Sequence, residues 1–178
     1  QEYAIFPWKT VLDNVAFGLQ MRGIGRRERH EVARQWLERV GLLKFQDYFP
    51  AQLSGGMKQR VAIARALAND PEVLLMDEPL GALDAQTKTV LQGELMRIWE
   101  EYRKTVVYIT HSIEEAVLLG DRVVIMTAHP GGNKTEFRVD LPRPRGVHTT
   151  STPEFAAMTG RVWDALEDEV RKAMESQR

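Results

Sequence analysis

Three short stretches of this chain hold residues whose types and spacing could do chemistry. The first is LSGGMKQRVAIARAL, Leu53 to Leu67. Ser54 can cap a helix there by accepting from the free N–H groups of the first turn. Gly55 and Gly56 leave backbone N–H groups uncovered beside it. A bare helix N-terminus attracts anions through its unpaired donors and its dipole, and phosphate is a common one. The same residues equally describe a capped helix that binds nothing. The second stretch is the apolar run Val73 to Met76, ending in Asp77 and Glu78. A carboxylate at the carboxyl end of a buried strand sits where open α/β sheets bind ligands. The third is TVVYIT followed by His111, a second apolar run closed by a titratable group.

Helices and strands must position these groups. Met57, Val61, Ala64 and Leu67 recur at helical spacing and predict one apolar stripe that anchors the Ser-Gly-Gly helix. Asn69-Asp70-Pro71 stops it. Val73 to Met76 and Val106 to Ile109 lack alternation, which predicts strands covered on both faces. A helix from about Ala85 to Arg103 lies between them, and the short helix IEEAVLL, capped by Ser112, follows His111. A further strand is expected over Arg122 to Met126. The strand–helix alternation argues a parallel sheet with right-handed crossovers. Upstream, Thr10 is placed to cap a helix with stripe Val11, Val15 and Leu19. Gly23 and Gly25 break it, and Arg26 to Val40 forms a second helix with a heavily charged outer face. Downstream, Pro130-Gly131-Gly132-Asn133 predicts a hairpin turn into a strand from Lys134. Pro142 to Gly146 reads as a linker, and a last helix runs from Pro153 through about Met174.

Composition bounds the possibilities. The 178 residues are 43% hydrophobic, enough for one core but not two large ones. Net charge is −1, from 24 basic and 25 acidic residues, so no broad footprint for nucleic acid is present. Cysteine is absent, which removes disulfides and thiolate metal sites. No apolar run reaches the roughly 20 residues that span a bilayer.

In order and spacing, LSGGMKQR, VLLMDEP, GALD and ITH resemble the signature, Walker B, D-loop and switch-histidine segments of the ATP-binding subunits of ABC transporters. Gln1 stands where the family has its Q-loop glutamine. PWKTVLDNVAFGL, VVIMTAHPGG and DLPRPR further resemble the importers for nitrate, sulfonates, taurine and related small solutes. No G-x-x-x-x-G-K-[ST] phosphate loop occurs, so the sequence reads as the portion after the Walker A half. The fold class expected is therefore α/β: part of a P-loop NTPase parallel sheet with helices on its faces, an all-α helical subdomain, and a C-terminal hairpin and helix. The expected divisions are a Q-loop remnant over 1–6, the helical subdomain with signature helix over 7–69, the core portion over 70–141, and a linker and helix over 142–178.

The resemblance also implies roles and partners. Glu78 would be the catalytic base, with His111 at the γ-phosphate. Asp77 and Gln1 would reach Mg²⁺. Ser54, Gly55, Gly56 and Gln59 would contact ATP held by a second, head-to-tail subunit, and Asp84 would cross the dimer seam. Gly81 departs from the serine that many members carry. Pro7-Trp8 and the helical subdomain would receive membrane permease subunits, and a solute-binding protein would act indirectly. The implied place is the cytoplasmic face of the inner membrane, held peripherally. Two other readings stand beside this one: a soluble twin-domain ABC ATPase of translation or DNA repair, and a non-catalytic interaction fragment.

Overall fold

The computed structural model describes residues 4–176, and the chain divides between Ile109 and Thr110 into two compact units.

The first unit is built around one buried helix. Thr10 accepts a hydrogen bond from Asp13 N–H at 3.1 Å and caps α1, Val11–Val15. α2, Phe17–Met21, follows at once, and α3 runs Arg26–Arg39. Ser54 caps α4, Gly55–Leu67, accepting from Met57 N–H at 3.3 Å. α1 and α3 both pack on α4. Val61 and Ala64 are fully buried, and Ile63 and Leu67 nearly so, while Met57 at the start of the expected stripe is half-buried. Asp84 then caps α5, Ala85–Tyr102, which also packs along α4. The far end of α5 is tied to α3. Arg97 donates to the Arg39 carbonyl at 2.8 Å, and the Arg39 guanidinium lies 4.9 Å from the Trp36 ring and 5.3 Å from the Tyr102 ring.

β1, Val73–Asp77, and β2, Thr105–Ile109, pair in parallel, with Leu75 opposite Val107 and Asp77 opposite Ile109. The parallel connection through α5 is as expected. Burial on both faces is not. Leu74 is buried, and Met76, Val106 and Tyr108 pack against the core of the unit. The alternate residues Val73, Leu75, Val107 and Ile109 are open, Leu75 being 74% exposed. An unbroken apolar run shows that both faces favour cover; the first unit supplies helices to one face only.

In the second unit, Ser112 caps α6, Ile113–Leu119. β3, Arg122–Met126, and β4, Asn133–Arg138, form the expected antiparallel hairpin, with Arg122 and Glu136 joined by two hydrogen bonds of 2.6 Å. β3, expected in the parallel sheet, thus finds its partner in the hairpin instead, because the turn over 127–132 returns the chain directly alongside it. The segment 142–146 is no free linker. Arg145 is buried, and its guanidinium donates to the carbonyls of Gly120 at 2.6 Å, Val139 at 3.0 Å and Leu141 at 3.0 Å. Arg143 donates to the Leu119 carbonyl at 2.9 Å and to Asp121 at 2.7 Å. The two arginines satisfy the carbonyls that the end of α6 leaves unpaired.

α7, Pro153–Ser176, buries Phe155, Met158 and Val162. Farther along it Glu169 is also buried, and accepts from Lys172 at 2.9 Å, from Lys134 at 3.0 Å and from Ala128 N–H at 3.1 Å. The hydrogen bonds from Lys172 and Lys134 hold this carboxyl down to about 2, from an ordinary 4.5. A depressed acid stabilises the folded state above its unfolded value, and that stabilisation is lost as pH falls through the folded one. The wild-type chain should therefore unfold more readily than expected from its other groups between pH 4.5 and about 2. Thermal unfolding of Glu169→Gln should show lower stability than wild type above pH 4.5, with the gap closing toward pH 2.

Candidate functional site

Asp77 ends β1 with an exposed side chain. Glu78 continues the ladder for one more rung: its N–H donates to the Ile109 carbonyl at 2.9 Å. Its φ of +43° is left-handed, a conformation that costs a side-chain-bearing residue about 1–2 kcal/mol. The turn that follows closes through Gly81 N–H to the Glu78 carbonyl at 3.1 Å, and Leu80 is buried beneath it. The Glu78 carboxylate leans over this turn. A Cβ at position 81 would lie 3.4 Å from Glu78 Oε2, an ordinary contact, so the carboxylate sits beside residue 81.

Asp77 and Glu78 border a shallow depression of about 150 Å³ together with Gln59 and Ile63 of α4, Leu75 and Pro79. Gln59 is buried there, beside its own chain's two acids. Ser54, expected to share its role, sits exposed at the helix tip instead. Its Oγ accepts from Met57 N–H, which leaves the hydroxyl hydrogen available to a ligand.

Gly56 is where this tip meets α5. A Cβ on Gly56 would stand 2.6 Å from Thr87 Cγ2, closer than atoms approach, so only glycine fits. Thr87 lies in the first turn of α5, where its N–H donates to Asp84 Oδ1 at 3.0 Å. That hydrogen bond holds the Asp84 carboxyl below the usual carboxylate range. Asp84, expected only at a dimer seam, thus serves as a helix cap within its own chain. One turn along the same seam Arg60 faces Glu94 at 3.1 Å.

His111 opens the second unit, two residues past the end of β2 in sequence, and is exposed. Thr110 and Ser112 shape the bend that carries it. Thr110 Oγ1 donates to Glu115 at 2.9 Å and accepts from Ser112 N–H at 3.0 Å, while Ser112 Oγ caps α6. Gln1 lies outside the described residues. Among the described residues no group of three or more His, Cys, Asp or Glu side chains could hold a metal ion. The exposed Asp77 carboxylate at the strand end is the donor set that Mg²⁺ accepts when phosphate oxygens and waters supply the rest.

Sequence reasoning missed Asn14. It is fully buried, and its amide accepts from Phe6 N–H at 2.7 Å and donates to the carbonyls of Phe6, Lys9 and Thr10 at 3.0–3.1 Å. The turn it fixes carries Trp8, which is 71% exposed. The signal was present: a polar residue three positions after Val11, on the face the stripe turns inward. Trp8 touches the Phe6 ring at 5.6 Å, and Phe6 meets Phe17 edge-on at 4.5 Å.

The model of the ABC transporter family matches residues 1–81. An uncharacterised ABC transporter ATP-binding protein of Methanocaldococcus jannaschii is 52% identical over 174 residues, which cover 98% of this chain and 64% of that protein. A taurine import ATP-binding protein of Rhizobium johnstonii is 48% identical over 89% of this chain and 62% of its own length. A nitrate import ATP-binding protein of Synechocystis is 49% identical, over 80% of this chain and 53% of its own length. Among solved structures, a dimeric ATP-binding cassette in a post-hydrolysis state, bound to ADP and phosphate, matches with a TM-score of 0.67 at 36% identity, over 80% of this chain and 62% of its own. The chain thus spans between about half and just under two thirds of the length of these relatives.

Gly56→Ala should destabilise the first unit by about 1–3 kcal/mol through overpacking. Placing it in a Thr87→Ala background removes the methyl it strikes and should recover most of that loss. Urea unfolding of the two single variants and the double variant checks this; purely additive losses would deny the contact.

Proposed function

The chain belongs to the ABC transporter ATP-binding family, and from that premise we propose that the full-length protein is the ATP-hydrolysing motor subunit of a membrane importer for a small solute of the nitrate, sulfonate or taurine kind. The observation that carries the reading is the end of β1, where a strained Glu78 follows Asp77 on the rim of a depression. Backbone strain of this kind persists where the surrounding structure imposes it, and it clusters at reacting centres.

In this reading the residues divide the work. Glu78 orients a water molecule and takes its proton as it attacks the terminal phosphate. Asp77, with Gln1, holds Mg²⁺, which when bound neutralises charge on the phosphates. His111 contacts the same phosphate. Ser54, Gly55 and Gly56 meet the nucleotide of a second subunit arranged head to tail, with Gln59 at the same helix and Asp84 at the seam. The dimeric solved relative supports such an arrangement. Trp8, exposed on a turn that Asn14 locks, suits a permease segment better than a packing role. A solute-binding protein acts through that permease. Peripheral attachment at the cytoplasmic face belongs to the same reading; no helix among the described residues is long and apolar enough to cross a membrane. The importer relatives favour this reading over a soluble twin-domain ATPase.

The full-length subunit should hydrolyse Mg²⁺-ATP, and Glu78→Gln should lower turnover by about 10²–10⁴-fold with nucleotide binding kept. Phosphate release and fluorescent-nucleotide titration read the two. The 178-residue chain alone, without a phosphate loop, should release no phosphate above background.

A further inference from the structure

Two stretches that the proposed function turns toward a second subunit touch each other inside one chain. The Ser54–Gly56 tip of α4 rests on Thr87, and Thr87 N–H is bound by Asp84. We propose that Thr87 is a positioning residue, whose γ-methyl sets the height at which the Ser54–Gly56 tip meets the partner's nucleotide. The inference rests on the reading of that tip as a nucleotide contact.

Four features make the methyl a firm stop. Thr87 is β-branched, which limits its χ1 within a helix to two rotamers. Its backbone is fixed by the Asp84 bond at 3.0 Å. Leu91, one turn further along α5, is buried to 1% exposure and anchors that helix in the core. Arg60 and Glu94, at 3.1 Å, keep the seam from sliding. On the other side Gly56 offers bare backbone, so its approach is limited by Thr87 Cγ2 and not by a side chain of its own. Without the methyl, α4's tip has nothing to rest on at this point and settles toward α5. Hydrogen bonds to phosphate are sensitive to such shifts, since they depend steeply on distance and angle. The ladder of α4 behind the tip stays held by Val61 and Ala64.

The test uses the full-length subunit with a non-hydrolysable ATP analogue and Mg²⁺. Sedimentation measures the dimer constant, titration of dilute subunit measures analogue affinity, and scanning calorimetry measures Tm. Thr87→Val keeps the methyl but loses the hydroxyl's hydrogen bond to Asp84, and should dimerise far better than Thr87→Ala. Thr87→Ser and Thr87→Ala remove it and should weaken analogue-driven dimerisation roughly tenfold, with monomer affinity and Tm unchanged. The proposal is overturned if Ser and Ala dimerise like wild type, if Val is as weak as Ala, or if dimerisation falls only in step with Tm. A wild-type subunit that binds the analogue and stays monomeric removes the underlying reading of the tip, and the proposal with it.

Discussion

α4 has to be buried along its length and bare at its tip, and the first unit is arranged around that demand. Val61 and Ala64 admit no solvent at all, so α1 and α3 must cover them, with α5 along the seam beside them. The flank bearing Gln59 and Ile63 borders the depression at the end of β1. The tip cannot be covered by an ordinary loop without losing its donors to water-free contact. Ser54 resolves this by taking one orphan N–H and leaving its neighbours open. One helix thereby fixes where the strand-end acids lie and presents a second, outward-facing group of donors.

At the end of β1 the constraint is backbone geometry. The chain must leave the ladder sharply while its last carboxylates stay at the rim. The left-handed Glu78 makes that exit, at a cost of about 1–2 kcal/mol. The added ladder bond to Ile109 and the burial of Leu80 offset it. A buried leucine is worth roughly 1.5–3 kcal/mol, so the balance favours the turn as built.

Much of this could be read from residue types. Thr10, Ser54 and Ser112 cap the helices they were expected to cap, because capping is a local bond that a short polar side chain makes within three residues. The α4 stripe, the parallel pairing of the two apolar runs and the hairpin were legible for the same reason: their periods are local. Asp84 was not read as a cap, although it follows the same rule, since its motif had already assigned it elsewhere. What the sequence could not state is who covers whom. The runs at Val73 and Val106 call for cover on both faces, and the open Leu75 face shows that periodicity cannot name the covering element. The prolines around Arg143 and Arg145 suggested a linker. Besides Val139 and Leu141 nearby, those arginines reach carbonyls at the end of α6 more than twenty residues upstream, a tertiary relation with no local trace.

Asn14 and Arg145 show a common use of buried polarity in this chain. Both are buried where backbone leaves regular structure: Asn14 accepts from and donates to the turn over 6–10, and Arg145 donates to carbonyls at the end of α6 and just past β4. An orphaned buried carbonyl or N–H costs about 1–3 kcal/mol, so each side chain guards several such groups at once. Exposed ion pairs such as Arg138 with Asp140 contribute far less, a median of about 0–1 kcal/mol. The irregular segments are therefore held more firmly than their lack of helix or strand suggests. For the 6–10 turn this means that Trp8 is presented by a rigid support. A large apolar side chain kept in solvent on a locked turn is a feature that packing alone does not require, and the support under it is what makes the surface specific.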